Sequence, residues 1–174
     1  MSDLRYPIGT YEPITHTSEI QRNALIEQIA ALPQQLRAAV EGLSAAQLDT
    51  PYRPDGWTVR QVVHHVVDSH LNSYVRFRWA LTENEPLIKA YDEKEWAQLP
   101  DASTAEPEIS LILLDTLHRR WVMLLGALTP EQWNRTLRHP EAGLLKLETM
   151  LGLYAWHGQH HTAHVTGLRQ RMDW

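Results

Sequence analysis

The chain has 174 residues, no cysteine and a net charge of -5, from 16 Lys and Arg against 21 Asp and Glu. This length can bury a core as one domain over 1–174 without disulfides, and the acidic balance argues against nucleic acid as a partner. No apolar leader and no run of about 18 apolar residues is visible, which argues against a membrane partner and predicts a cytoplasmic location.

The first segment, residues 1–17, has no sustained hydrophobic period and contains Pro7, Gly9 and Pro13. We therefore expect an extended N-terminal arm. From Glu19 to about Gly42, apolar residues recur at spacings of three and four, which predicts an amphipathic helix. Pro33 lies inside it and is expected to kink it or divide it in two.

The second long helix is predicted over 58–83, because Thr58 and Gln61 have the spacing of a capping box. It carries three histidines: His64, His65 and His70. His65 shares one flank of the apolar side with three polar residues: Ser69, Asn72 and Arg76. Such a stripe is typical of one wall of a polar pocket.

Residues 84–105 contain Pro86 and Pro100 and read as a long crossover. A third helix is predicted over 106–128, a short turn over 129–133, a small hairpin within 134–147, and a fourth helix over 148–171. Four amphipathic helices without a strand ladder indicate an all-α fold, a four-helix bundle with a long crossover between helices two and three.

The fourth helix concentrates four of the ten histidines in eight residues: His157, His160, His161 and His164. Residues four apart lie on one face, roughly 6 Å from each other, so two pairs can each aim at one point, 157 with 161 or 160 with 164. Without cysteine, a metal must be held by histidine and oxygen ligands. A member of the His64–His65 pair on the facing helix can complete a three-histidine site. The spacing leaves these choices open.

Two further histidines, His70 and His118, are interpreted as hydrogen-bonded core residues, because a lone histidine on an apolar face is usually structural. Trp57 and Trp156 are candidates for lining the pocket. Asp68, Ser69, Asn72 and Arg76 are candidate partners that orient the ligands or hold a substrate.

Five segments carry a resemblance to a known family: Tyr6–Gly9, Asp49–His65, Asp68–Tyr74, Tyr91–Lys94 and Trp156–His164. They resemble the DinB-like superfamily, and within it the YfiT-type metal-dependent hydrolases. The resemblance implies a four-helix bundle that binds one divalent ion per subunit, zinc or nickel, through three histidines. By position these are His65, His160 and His164. It also implies a homodimer.

The expected activity is that of a metal-dependent hydrolase, which activates water with the bound ion and acts on a small-molecule substrate. The fold is also similar to that of thiol-dependent enzymes, so a bacillithiol-type S-transferase is an alternative. A non-catalytic, stress-related metal-binding bundle is a further alternative. A site open to solvent favours the two catalytic functions, whereas a fourth protein ligand favours the last.

Overall fold

The computed structural model describes residues 3–174. Its elements in chain order are α1 (Glu19–Val40), α2 (Ala45–Leu48), α3 (Val59–Thr82), α4 (Glu93–Trp96), α5 (Pro100–Ser103), α6 (Pro107–Gly126), α7 (Pro130–Trp133), β1 (Thr136–His139), β2 (Gly143–Lys146) and α8 (Leu147–Met172). The long helices α1, α3, α6 and α8 form a four-helix bundle, which confirms the predicted fold class. The antiparallel hairpin of β1 and β2 lies where a small hairpin was expected.

Serine and threonine caps determine where several helices begin. Thr58 accepts a hydrogen bond from the backbone N–H of Gln61, and the Gln61 side chain accepts one from the N–H of Thr58. The same reciprocal pair, which satisfies N–H groups that have no partner within the helix, opens α1 at Ser18, α2 at Ser44 and α7 at Thr129. The capping box predicted at Thr58 is therefore confirmed.

The direction of each long helix can be seen from the order in which its residues enter two apolar clusters. The hairpin-end cluster contains Ile29, Phe77, Trp121, Leu137 and Leu151, and the far-end cluster contains Leu36, Val62, Leu114 and Val165. Helices α3 and α6 both run from the far end to the hairpin end, whereas α1 and α8 run in the opposite direction. Because a 20-residue helix is about 30 Å long, the chain must travel back along the bundle between α3 and α6. Residues 83–106, with α4 and α5, make this crossover.

Four buried histidines and one partly exposed histidine, His157, lie near the boundary between the two clusters. We call this set the histidine layer: His65 and His70 on α3, His118 on α6, and His157 and His161 on α8. Helix α1 packs closely against α8 at this level, because a Cβ at Gly158 would overlap the side chain of Leu32. The bundle therefore holds the layer between tightly packed helices.

Pro33 does not divide the first helix, contrary to one of the two outcomes expected for it. Helix α1 is continuous through it. Proline has no N–H to donate to the carbonyl four residues earlier, which is that of Ile29. His118 Nδ1 donates to this Ile29 oxygen at 2.6 Å instead. A side chain from α6 thus replaces the hydrogen bond that Pro33 removes from α1.

The described part of the N-terminal arm, residues 3–17, lies along α8. Tyr11 donates its hydroxyl hydrogen to the Thr149 carbonyl at 3.0 Å, and the Thr149 hydroxyl donates to the Ile14 carbonyl at 2.9 Å. The buried carboxylate of Glu148 accepts hydrogen bonds from both the backbone N–H and the hydroxyl of Thr17. Nearer the start of the arm, the Arg5 carbonyl accepts a hydrogen bond from His164 of α8. Within residues 3–174, no helix combines the length and the apolar character that crossing a bilayer requires.

Candidate metal centre

Three imidazoles from two helices converge in the histidine layer. His65 comes from α3, and His157 and His161 lie one turn apart on α8; each offers a nitrogen within 4.8 Å of those of the other two. The Nε2 atoms of His65 and His157 are 3.3 Å apart. Among residues 3–174 this is the group of three candidate ligands that comes together.

The separation of one pair of ring nitrogens and the protonation of the three rings fit a divalent transition metal. Ligand nitrogens at about 2.0–2.1 Å from a tetrahedral ion lie roughly 3.3–3.4 Å from each other, which matches the separation of His65 and His157. Burial lowers the pKa of His65 to about 4 and also lowers the pKa values of His157 and His161. The imidazoles are therefore neutral near pH 7, which is the form that binds a metal.

Of the ligands expected from the resemblance, His65 belongs to this group, whereas His160 and His164 lie beside it. The His160 ring stacks on Trp156, with centroids 4.3 Å apart. The His164 ring stacks on Tyr52 at 4.0 Å, and its Nε2 donates to the Arg5 carbonyl at 3.1 Å. Their role as ligands stays a prediction, and the pair that the structure brings to His65 is the alternative one at the same spacing.

His64, the other candidate on α3, points away from the group. Its Nδ1 lies 2.7 Å from the Ser110 hydroxyl, and its Nε2 donates to the Ala105 carbonyl at 3.1 Å. Adjacent residues on a helix differ by about 100° in direction, which separates His64 from His65. Its contacts are with α6 and the crossover.

Two histidines interpreted as core residues connect to the group, His70 directly and His118 through His70. His70 and His118 are fully buried, as expected. His70 Nε2 lies 3.2 Å from His157 Nδ1, and His70 Nδ1 lies 3.0 Å from His118 Nε2. Sequence reasoning missed this connection; the signal that could have suggested it is Pro33, which leaves a buried carbonyl in need of a donor.

The polar residues expected to orient the ligands have other partners. Asn72 donates to the backbone carbonyl of Asp68 at 2.9 Å, and Arg76 donates to that of Lys89 at 3.2 Å. Burial raises the pKa of Asp68 to about 6. Across the described residues, neither these three nor Ser69 hydrogen-bonds to a histidine of the group, so their roles in the site stay predictions.

A cavity of about 520 Å³ opens onto the three imidazoles. Trp57 and Trp156 both line it, as expected, and the Trp57 ring lies 4.5 Å from that of His65. Charged side chains of both signs complete its wall: Arg5, Arg53, Asp55, Glu93 and Lys94. His157 is partly exposed and lines this cavity, so the group can be reached from it.

A second cavity, of about 680 Å³, is also lined by His157. Ser69 and Arg76 line it together with Tyr91, and the Arg76 side chain is buried. Two of the four polar residues predicted for the site therefore face space next to the metal candidate.

The sequence of this chain is similar to those of known proteins. A model of the DinB superfamily matches residues 28–165. Proteins of Bacillus mycoides strain KBAB4 and Bacillus cereus strain B4264 are 54% and 55% identical to the chain over 174 residues, with both partners covered completely, and each is named "Putative metal-dependent hydrolase".

Solved structures show the same architecture. YfiT from Bacillus subtilis is 51% identical, with a TM-score of 0.96 over 98% of each chain, and is described as a probable metal-dependent hydrolase with an unusual four-helix bundle topology. The mycothiol-dependent maleylpyruvate isomerase is 14% identical, with a TM-score of 0.67 over 86% of this chain and 63% of that one. The second likeness concerns the fold alone.

Proposed function

This chain belongs to the DinB superfamily, and from that premise we propose that it is a metal-dependent hydrolase whose divalent ion is held by His65, His157 and His161. The observation that carries the proposal is the convergence of three neutral imidazole nitrogens within 4.8 Å of one another beside a cavity. The names of the curated relatives, 54% and 55% identical, support the reaction class.

Three protein ligands are the usual number in catalytic sites, because they leave a coordination position open, whereas structural sites are closed by four. When bound, a divalent ion supplies Lewis-acid chemistry: it polarises a substrate oxygen and brings the pKa of water toward about 7. The protein contributes neutral ligands held by α3 and α8. It also contributes a partly exposed His157 ring on the cavity side.

The cavity walls suit a small molecule with both polar and flat apolar parts. Trp57 and Trp156 offer aromatic faces, and Arg53 and Lys94 offer positive charge for an anionic group. Arg76, in the adjoining cavity, is a further candidate for holding an anionic part of the substrate. We propose that the substrate binds in these two cavities, both of which are lined by His157.

Zinc and nickel are the proposed ions, one per subunit, because imidazole ligands suit both. A homodimer and a cytoplasmic location are part of the same proposal. Thiol transfer is an alternative that starts from the same positive charge, since a divalent ion stabilises a thiolate as it stabilises hydroxide.

The test is hydrolysis by protein stripped with a chelator and reloaded with zinc or nickel, assayed against a panel of esters, amides and lactones. We expect turnover that requires the ion and is lost in His157→Gln. The matched control, His16→Gln, changes an exposed histidine of the arm and should keep the activity. Equal rates with and without metal, or in wild type and His157→Gln, would contradict the proposal.

A further inference from the structure

Two chains of imidazoles connect two of the proposed ligands, His157 and His161, to backbone carbonyls. The first runs from His157 through His70 and His118 to Ile29. We infer that His118 and His70 are positioning residues that hold the proton of His157 on Nδ1, so that its Nε2 lone pair faces the ion site. The inference rests on the proposed function for its consequence in metal binding, while the hydrogen-bond geometry stands without it.

The chain begins at a carbonyl that can only accept. Ile29 has no donor within α1, because the residue four positions later is Pro33. His118 Nδ1 lies 2.6 Å from the Ile29 oxygen and must therefore carry a hydrogen. Because this imidazole is buried and neutral, its Nε2 has no hydrogen and can only accept.

The direction of each following bond is then determined. His70 Nδ1, 3.0 Å from the accepting His118 Nε2, must donate, which leaves His70 Nε2 as an acceptor. His157 Nδ1, 3.2 Å from that acceptor, must donate in turn. A neutral His157 that donates from Nδ1 has its lone pair on Nε2, the atom 3.3 Å from His65 Nε2.

A second and shorter chain reaches His161 in the same way. His164 Nε2 donates to the Arg5 carbonyl at 3.1 Å, so the Nδ1 of a neutral His164 accepts. His161 Nδ1 lies 3.4 Å from it and is the donor, which leaves the lone pair of His161 on Nε2. His164 thus acts through His161 and positions it, as His70 acts through His157.

The consequence is that the tautomers of the two ligands on α8, His157 and His161, are fixed before the ion binds. A ligating histidine normally donates its other N–H to a partner that fixes its tautomer and orientation, and losing such a partner typically weakens metal affinity about 10- to 100-fold. In this bundle the partners are other histidines, and each chain ends on a backbone oxygen. The opposite tautomer of His157 would place a hydrogen where the ion should bind.

The direct test is the tautomer of His157 in the metal-free wild-type protein, from the ¹⁵N shifts of its two ring nitrogens, with His157→Gln used to assign the signals. We expect a protonated Nδ1 and an unprotonated Nε2. A protonated Nε2 would overturn the inference. Because no metal is present, this outcome is independent of whether the protein proves to be a hydrolase.

Variants of His118, the histidine that donates to the Ile29 carbonyl, test the direction of the hydrogen bonds in the first imidazole chain. His118→Phe removes the acceptor for His70, so His70 can donate to His157 instead and move the proton of His157 to Nε2. We expect that tautomer to appear, together with about a 10- to 100-fold loss of zinc affinity. His118→Gln should restore both properties, since its amide can donate to Ile29 and accept from His70.

The matched control is Ser110→Ala. Ser110 lies on α6, like His118, and its hydroxyl is the partner of a different buried histidine, His64. It should leave the His157 tautomer and the zinc affinity unchanged. An unchanged tautomer and zinc affinity in His118→Phe, or an equal loss in the Phe and Gln variants, would contradict the inference. Should His118→Phe fail to fold, the inference is still tested by the His157 tautomer of the wild type and by the tautomer and zinc affinity of His118→Gln.

Discussion

His65 Nε2 and His157 Nε2 face each other at 3.3 Å across the contact between α3 and α8. This is about the separation of two nitrogens that share a tetrahedral ion. Each ring comes from a different long helix, so an ion bound between them would also join the two helices. Stability, metal content and protonation are therefore coupled at one place in the bundle.

Metal should stabilise the folded protein. The ligand group requires α3 and α8 to be packed together, so the ion binds the native state in preference to the unfolded one, adding about 2.7 kcal/mol at a free concentration of 100 times Kd. We expect zinc or nickel to raise Tm above that of chelator-treated protein. His157→Gln should lose the increase and His16→Gln should retain it, whereas equal increases in the two variants would refute the ligand role of His157.

Acid should destabilise the metal-free protein. Burial lowers the folded-state pKa of His65 and of His118 from 6.5 to about 4, so below pH 6.5 the unfolded chain binds more protons than the native one. The free energy of unfolding is highest above that pH and falls toward pH 4, on the order of 1 kcal/mol per pH unit for each histidine.

Urea unfolding in chelator between pH 7 and 5 measures this dependence. His118→Phe should show a shallower slope, because one buried histidine no longer contributes. A free energy of unfolding that is constant over this range would show that these rings are not held neutral by the fold.

Gly158→Ala should weaken the packing of α1 on α8. The added Cβ would overlap Leu32, and forcing extra volume into a packed core typically costs about 1–3 kcal/mol. Gly126→Ala is the control, since the Cβ there has open space and a helical glycine changed to alanine usually gains stability. The Tm should therefore fall in Gly158→Ala and rise in Gly126→Ala. A higher Tm in Gly158→Ala would mean that α1 and α8 are not closely packed at this level.

Hydrolysis and thiol transfer can be separated with one reagent. A hydrolase needs no thiol, whereas an S-transferase consumes one for each electrophile it converts. Metal-loaded protein is mixed with a model electrophile with and without bacillithiol, and the conjugate is quantified. The proposed hydrolase should form no conjugate beyond the rate of the uncatalysed mixture, and metal-dependent conjugation would favour the transferase.

Much of the fold could be predicted, because its signals are local. The threonine cap at Thr58 and the spacing of apolar residues predicted the long helices to within a few residues at each end. Pro33 was harder to interpret. Its effect on α1 depends on a donor from α6, His118, which lies 89 residues from Ile29 in the chain.

The candidate site was only partly predictable for a related reason. Four histidines fall in one broad stripe of α8, and a spacing of four allows two pairs. Which pair meets His65 depends on how α8 is rotated against α3, and no local pattern encodes that rotation. The connection of His70 to His157 likewise joins residues 87 positions apart.

The most direct test of the ligand set is the metal content of protein purified without added metal, measured by elemental analysis for wild type, His157→Gln and His160→Gln. His157 belongs to the group that meets His65, whereas His160 stacks on Trp156 beside it. We predict about one ion per chain in wild type and in His160→Gln, and loss of the ion in His157→Gln. Loss in His160→Gln with full retention in His157→Gln would contradict the account.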